Sequence, residues 1–182
     1  LYKLIIKNES DSKHYFTSIL FAKSIFTRKV QVSLNNKKAR ESMLLGSMLA
    51  GMAFANAPCA AVHALAYPIG AKFHVPHGLS NSLVLPEVLK FNSKEVSNLY
   101  CEIASECLPD LKGNKNNIDN FIAGIEQLII DLNIPRKLKD VGINQKDIQM
   151  LATDALKQQR LLINNPREVN LEDVVSIYEA SY

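Results

Sequence analysis

Residues 60–78 read AAVHALAYPIGAKFHVPHG and hold three of the four histidines of the chain, His63, His74 and His77. The segment overlaps the end of a run from Ser42 to Ala71 that contains no Asp, Glu, Lys or Arg. Core packing rarely requires several imidazoles, because their ring nitrogens need hydrogen-bond partners when they are buried. The histidine cluster therefore raises the question of whether this part of the chain forms a site.

The hydrophobic pattern is helical almost throughout the chain. Apolar residues recur at i, i+3 and i+4, which is typical of amphipathic helices, and no alternating strand pattern follows the first few residues. The segments with the helical pattern are residues 12–30, 94–107, 118–132, 145–159 and 171–182. The pattern predicts an all-α fold, a multi-helix bundle.

Polar and helix-breaking residues predict several helix boundaries. Asn144 and Asn170 are each predicted to be the N-cap of the helix that follows. Residues 164–168 are predicted to form the loop between these two helices. Asn56 is expected to close one helix, and Pro58 to open the next at its first position.

Composition excludes several classes of protein. An apolar content of 47% with 21% charged residues, in a chain of 182 residues, is typical of a globular domain with a sizeable core. The net charge is only +3, and no basic cluster interleaved with aromatic residues predicts a nucleic-acid partner. The three cysteines, Cys59, Cys101 and Cys107, lack C-x-x-C spacing and are expected to fill the core in a reduced, cytoplasmic compartment.

The uncharged run is long enough to span a bilayer. It contains Asn56, Pro58, His63 and Pro68, however, together with many small residues in place of Leu, Ile and Phe. A hydrocarbon core disfavours so many polar and helix-breaking groups. We therefore predict a pair of buried helices and no membrane partner.

His63 and Tyr67 are separated by four residues, so both side chains lie on one face of a helix. Pro68 and Gly70 are expected to weaken that helix, and a turn before His77 would bring this second imidazole back toward His63. Two neutral imidazoles in an apolar pocket form a partial site for Fe²⁺ or Zn²⁺.

Spacing alone leaves a second interpretation open, in which His63 and His77 are hydrogen-bonded core histidines. A catalytic metal site needs about three or four protein ligands, and residues 42–86 contain no Asp or Glu. His74 is expected only to line the rim of such a site, and His14 lies beside charged residues and is expected to be solvated.

Residues 51–92 read GMAFANAPCAAVHALAYPIGAKFHVPHGLSNSLVLPEVLKFN. They resemble the signature region of the iron-containing alcohol dehydrogenases, with its G-M-A-F-x-N, V-H-A-L-A-H-P-L-G, P-H-G-L-x-N and F-N motifs. The C-terminal segment, DALKQQRLLINNPREVNLEDVVSIYEASY, is similar to the end of the same family. The resemblance is weakest before residue 37. It implies the helical C-terminal domain of the fold that these enzymes share with dehydroquinate synthases.

The resemblance also implies a site. His63 and His77 match two of the family's metal ligands, and Phe54 matches a residue that lines its substrate pocket. Tyr67 stands where the family usually has a histidine implicated in binding or proton relay near the nicotinamide, which makes Tyr67 a candidate catalytic residue. The two remaining ligands of the family, an Asp and a His spaced D-x-x-x-H, are expected at or just before Leu1.

By this resemblance, residues 1–182 are the C-terminal helical metal and substrate domain of an NAD(P)-dependent alcohol dehydrogenase. The N-terminal nucleotide-binding domain, with its glycine-rich phosphate loop, is absent from this chain. Fe²⁺ or Zn²⁺ and NAD or NADP, the latter bound mainly by the missing domain, are the implied cofactors. A small alcohol or aldehyde is the implied substrate, and a homodimer is possible. The alternative is a stand-alone, non-catalytic helical metal-binding or scaffold module.

Overall fold

The computed structural model describes residues 37–107 and 117–182. All regular structure in these two ranges is helical, which confirms the predicted all-α fold. The α-helices are α1 (Lys37–Asn56), α2 (Ala61–Phe73), α3 (His77–Cys107), α4 (Asn117–Asp131), α5 (Ile148–Leu156), α6 (Gln159–Leu162) and α7 (Leu171–Ala180). Two 3₁₀ helices cover Leu138–Val141 and Gln145–Asp147. The helix predicted for residues 12–30, together with His14, lies outside the described residues.

Asparagine caps begin the C-terminal helices as predicted. Asn170 Oδ1 accepts a hydrogen bond from the Asp173 backbone N–H at 2.9 Å, and the Asn170 N–H donates to the Asp173 carboxylate at 3.1 Å. The Asn144 N–H likewise donates to the Asp147 carboxylate at 2.9 Å, at the start of the 3₁₀ turn that leads into α5. Both caps pair backbone N–H groups that a helix leaves without internal partners.

One prediction about α2 is wrong, because Pro58 does not open the helix, which begins three residues later, after Ala60. Pro68 and Gly70, which were expected to weaken α2, lie inside it, and the helix continues to Phe73. Pro68 removes one backbone hydrogen bond, but most of the helix is buried and packing holds it. Gly70 permits a close approach, since a Cβ at this position would lie 3.3 Å from the Val75 carbonyl oxygen.

The chain divides into two compact units, and the described part of the first comprises residues 37–58, 96–107 and 117–121. Its buried aromatic contact joins Tyr100 and Phe121, whose ring centroids are 5.9 Å apart. Along α1, large apolar side chains are exposed, namely Met43, Leu44, Leu45, Met48, Met52 and Phe54. The prediction of two buried helices in the uncharged run is therefore correct for α2 and wrong for α1, as far as the described residues extend.

The second unit comprises residues 59–95 and 122–182, with α2 at its centre. Helix α2 packs against α5 and α6, and α5 packs against α7. The buried Tyr178 hydroxyl of α7 donates a 2.6 Å hydrogen bond to the Leu65 carbonyl of α2. Burial raises the pKa of Tyr178 far above its ordinary value, so the phenol stays protonated and remains a donor. These contacts fix α2, which carries His63, in the core of the unit.

Helix α3 contains a kink. Val96 has φ −124° and ψ 29°, so two helical stretches meet there, and the second corresponds to the helix predicted after Ser93. Among the described residues, no helix combines the length and the apolar character that a bilayer span requires.

Candidate functional site

A tight turn connects the two helices that carry the histidines. Helix α2 ends at Phe73, its C-cap residue His74 adopts the left-handed backbone conformation (φ 55°), and α3 begins at His77. The Ser80 hydroxyl lies 3.2 Å from the carbonyl oxygens of both Val75 and Pro76 and is placed to donate to them. The first turn of α3 thus holds the connection in place and sets the position of His77 at the start of α3.

The turn brings His63 and His77 together. Their ring centroids are 5.1 Å apart. The side-chain nitrogen Nδ2 of Asn81 lies 3.4 Å from His63 Nε2 and 3.1 Å from His77 Nε2. Both imidazoles therefore direct the same ring nitrogen at one point, which is the convergence expected from the turn.

The environment of His63 keeps its imidazole neutral. Its side chain is only 8% exposed. Burial, and secondarily the neighbouring His77, lowers the pKa of His63 from 6.5 to about 4. A neutral imidazole has a lone pair on one ring nitrogen, and it is the form that binds a metal ion.

Asn81 lies at the same point, although it is not among the residues predicted for the site. Its Oδ1 is buried and makes no hydrogen bond within the described part of the chain, whereas its Nδ2 faces the two histidines. An unpaired buried acceptor costs about 1–3 kcal/mol. The available signal was spacing, because Asn81 follows His77 by four residues and so shares its face of α3.

Tyr67 completes an aromatic cluster with the two histidines. It is half-buried, and its ring centroid lies 6.4 Å from that of His63 and 6.0 Å from that of His77. The three side chains that spacing and turn signals placed together are thus neighbours in the second unit. A catalytic role of Tyr67 stays a prediction.

The other candidate residues differ in how far they are exposed. Phe54 belongs to α1 of the first unit and is 51% exposed, and its assignment to a substrate pocket stays a prediction. His74 is exposed at the end of α2. Cys59 is buried and Cys101 is half-buried, as expected of core fillers, and the side chain of Cys107 is outside the described set.

The donor set fits part of a metal site. Two convergent imidazole nitrogens suit Fe²⁺ or Zn²⁺. The Asn81 oxygen has no hydrogen-bond partner among the described residues, as is found where a water molecule or an ion binds. The described residues contain no group of three or more His, Cys, Asp or Glu that could hold a metal ion. A complete site therefore needs further ligands from outside the described ranges.

Comparison with known proteins supports the resemblance. The family of Fe-containing alcohol dehydrogenases, C-terminal part, matches residues 22–182. The chain is 36% identical over 161 residues to long-chain-alcohol dehydrogenase 1 of Geobacillus thermodenitrificans (strain NG80-2), covering 85% of this chain and 40% of that protein. It is 35% identical over 149 residues to lactaldehyde reductase of Escherichia coli (strain K12), covering 81% of this chain and 39% of that protein.

The fold also matches solved structures. An alcohol dehydrogenase from Oenococcus oeni superposes with a TM-score of 0.87 and 28% identity, over 99% of this chain and 47% of that one. The chain thus spans less than half the length of the relatives it matches. The family match covers nearly all of the chain, including both histidines, and the chain belongs to the iron-containing alcohol dehydrogenase family.

Proposed function

We propose that residues 1–182 are the C-terminal helical domain of a metal-dependent, NAD(P)-linked alcohol dehydrogenase. The enzyme would interconvert a small alcohol and its aldehyde or ketone by hydride transfer. The observation that carries the proposal is the convergence of His63 Nε2 and His77 Nε2 on one atom, in a chain of this family. The names of the relatives, a long-chain-alcohol dehydrogenase and a lactaldehyde reductase, support the reaction class.

In this proposal His63 and His77 hold Fe²⁺ or Zn²⁺ through Nε2. Such a metal supplies Lewis-acid chemistry, which stabilises negative charge on a substrate oxygen. The neutral state of His63, with its pKa lowered to about 4, keeps its lone pair available at any pH near neutrality. The two ligands differ in exposure, since His63 is buried in α2 and His77 is exposed at the start of α3.

Tyr67 and Phe54 would act on the substrate side. A phenol donates and accepts a hydrogen bond, so Tyr67 is suited to hold or pass the proton that leaves the alcohol. Phe54 would contribute apolar surface to the substrate pocket of the intact protein. The nucleotide, NAD or NADP, would bind mainly to a separate domain and supply the hydride chemistry.

The proposal requires two more ligands, because about three or four protein ligands hold a catalytic metal. Within the described residues they are missing. A direct check is the gene sequence upstream of Leu1, which we expect to encode D-x-x-x-H and a glycine-rich phosphate loop. A gene without either would favour the stand-alone metal-binding or scaffold module over the dehydrogenase.

The decisive assay uses the intact protein with Fe²⁺ or Zn²⁺, NAD or NADP and a panel of short and long alcohols. We expect His63→Ala and His77→Ala each to lower kcat/KM at least about 100-fold, since a metal supplies several kcal/mol of transition-state stabilisation. His74→Ala is the matched control, because His74 lies between them in sequence and is exposed. Equal activity of all three variants, or no activity of the wild type with any alcohol, would overturn the proposal.

A further inference from the structure

We propose that Asn81 is a positioning residue for the two histidines. Its carboxamide N–H groups bind both Nε2 atoms before a metal arrives, and so hold both imidazoles in the protonation form and orientation that metal binding needs. The inference rests on the proposed metal site, and it adds a residue that lies in neither the predicted ligand set nor the predicted catalytic set.

The distances carry the first step. Asn81 Nδ2 lies within 3.4 Å of His63 Nε2 and 3.1 Å of His77 Nε2. An amide nitrogen has two N–H donors and no lone pair to offer. It can bond to both histidines only if each Nε2 is unprotonated, which places the ring proton of each imidazole on Nδ1. This is the tautomer in which Nε2 is free to bind a metal ion.

The unpaired oxygen carries the second step. Asn81 Oδ1 is buried without a hydrogen bond in the described ranges, so the carboxamide is held by its nitrogen alone. The two N–H groups and a cation would compete for the same pair of lone pairs. The carboxamide must therefore release both histidines when a metal binds, and the missing bond at Oδ1 leaves it less firmly held than a fully paired buried amide would be.

The placement of Asn81 on α3 makes the arrangement specific. Asn81 is four residues after His77, so its side chain lies beside that histidine on one face of the helix. His63 reaches the same point from α2. The two contacts of the carboxamide therefore depend on the separation of α2 and α3 at the position where the metal would bind.

The first test uses the metal-free 182-residue chain and needs no substrate. ¹⁵N NMR of the histidine side chains distinguishes protonated from unprotonated ring nitrogens. We expect unprotonated Nε2 in both His63 and His77 of the wild type, and a mixture of tautomers in both after Asn81→Ala. The exposed His74 is the internal control and should keep its spectrum in the variant. Protonated Nε2 in either wild-type histidine would overturn the inference, and so would an unchanged spectrum in Asn81→Ala.

The second test uses Co²⁺ or Zn²⁺ alone. Asn81→Asp places a carboxylate at the point on which the imidazoles converge, which gives three donors of the kind that bind these metals. We expect the chain to bind Co²⁺ at least about tenfold more tightly than the wild type, within the range that supporting residues of metal sites typically affect. Ser82→Asp is the matched control, because it adds the same charge at the adjacent position.

Equal affinities of Asn81→Asp and Ser82→Asp would show that residue 81 does not face the metal position. Circular dichroism confirms that each variant is folded. Both tests are separate from the dehydrogenase assay, since they need neither nucleotide nor alcohol. If Asn81→Ala left the tautomers unchanged, the inference about Asn81 would fail and the dehydrogenase proposal would stand. An inactive intact protein with the expected tautomers would overturn the dehydrogenase proposal and leave the role of Asn81 standing.

Discussion

Two asparagine clusters in the second unit differ in how completely they are hydrogen-bonded. Asn92 and Asn165, both buried, exchange amide hydrogen bonds at 3.1 and 2.8 Å, and Asn165 also donates to the Arg167 carbonyl at 2.7 Å. The Arg167 guanidinium donates to the Phe91 carbonyl at 3.2 Å and lies 3.8 Å from the centroid of the Phe91 ring. This cluster joins α3 to the loop before α7 and is satisfied by the protein itself.

The cluster of Asn81, His63 and His77 is different. Its amide oxygen has no partner in the described part of the chain, and its nitrogen faces two imidazole lone pairs. Buried polar groups in native proteins are almost always paired, so an exception calls for an explanation such as an ion or a ligand. The Asn92–Asn165 pair therefore stabilises the fold, whereas the arrangement of the Asn81 cluster is consistent with the proposed metal site.

If the cluster of Asn81, His63 and His77 is the active site, removing the hydroxyl of the neighbouring Tyr67 should lower turnover. We expect Tyr67→Phe in the intact enzyme to lower kcat about 100-fold, which is the lower end of what general acid–base catalysis contributes. Metal content and folding should not change, because the phenol hydroxyl is the only group removed. Steady-state kinetics across pH, with metal analysis of the same sample, provides the measurement.

Tyr178→Phe is a useful comparison for that experiment. Tyr178 is a buried phenol in the same unit whose hydroxyl donates to the Leu65 carbonyl, so its loss should reduce stability and leave kcat unchanged in the folded protein. Full activity of Tyr67→Phe at every pH would remove Tyr67 from the mechanism without affecting the assignment of His63 and His77.

The two asparagine clusters should also differ in their effect on stability. Asn165→Ala leaves the buried amide of Asn92 and the Arg167 carbonyl without partners, so we expect the free energy of unfolding to fall by about 1–3 kcal/mol. Asn81→Ala also removes a buried oxygen that has no partner, which offsets part of the loss, so we expect a smaller decrease than for Asn165→Ala. Urea denaturation of the two variants gives the comparison. A larger loss for Asn81→Ala than for Asn165→Ala would mean that the Asn81 cluster is a structural element like the other.

A further prediction concerns the titration of His63. The folded-state pKa of about 4 lies below the ordinary 6.5, so the unfolded chain takes up this proton first as pH falls. The contribution of a neutral His63 to stability is therefore complete above about pH 6.5 and is lost progressively as pH falls toward 4. The groups facing His63 include His77, Tyr67 and Asn81.

NMR titration of the histidine side chains measures this pKa, and the His63→Gln variant identifies the signal of His63. A value near 6.5 would mean that water reaches the ring in solution, and that the neutral, buried donor assumed for the metal site does not exist.

Much of the fold could be predicted because its signals are local. Helical periodicity and the caps at Asn144 and Asn170 depend on neighbours within one or two turns, and they were confirmed. Pro68 was misleading for the opposite reason. Its local preference weakens a helix, but packing of the surrounding buried residues against α5 and α6 overrides that preference.

The site was predictable to the extent that spacing determines it. His63 and Tyr67 share a helical face, and turn signals suggested the return of His77. Asn81 was missed because its importance depends on the distance between two helices, and no periodic pattern encodes that distance. The Asn92–Asn165 pair joins positions 73 residues apart in sequence and was not foreseen for the same reason.

The most direct test of the account is where a metal binds in the intact protein. A crystal structure grown with Fe²⁺ or Zn²⁺, with anomalous data collected at the absorption edge of the metal, would locate it. We predict an anomalous peak within coordination distance of both His63 Nε2 and His77 Nε2, about 2.0–2.1 Å for Zn²⁺, with the Asn81 carboxamide displaced from between the rings. A peak elsewhere, with Asn81 Nδ2 still hydrogen-bonded to both imidazoles, would contradict the assignment of these two histidines as metal ligands.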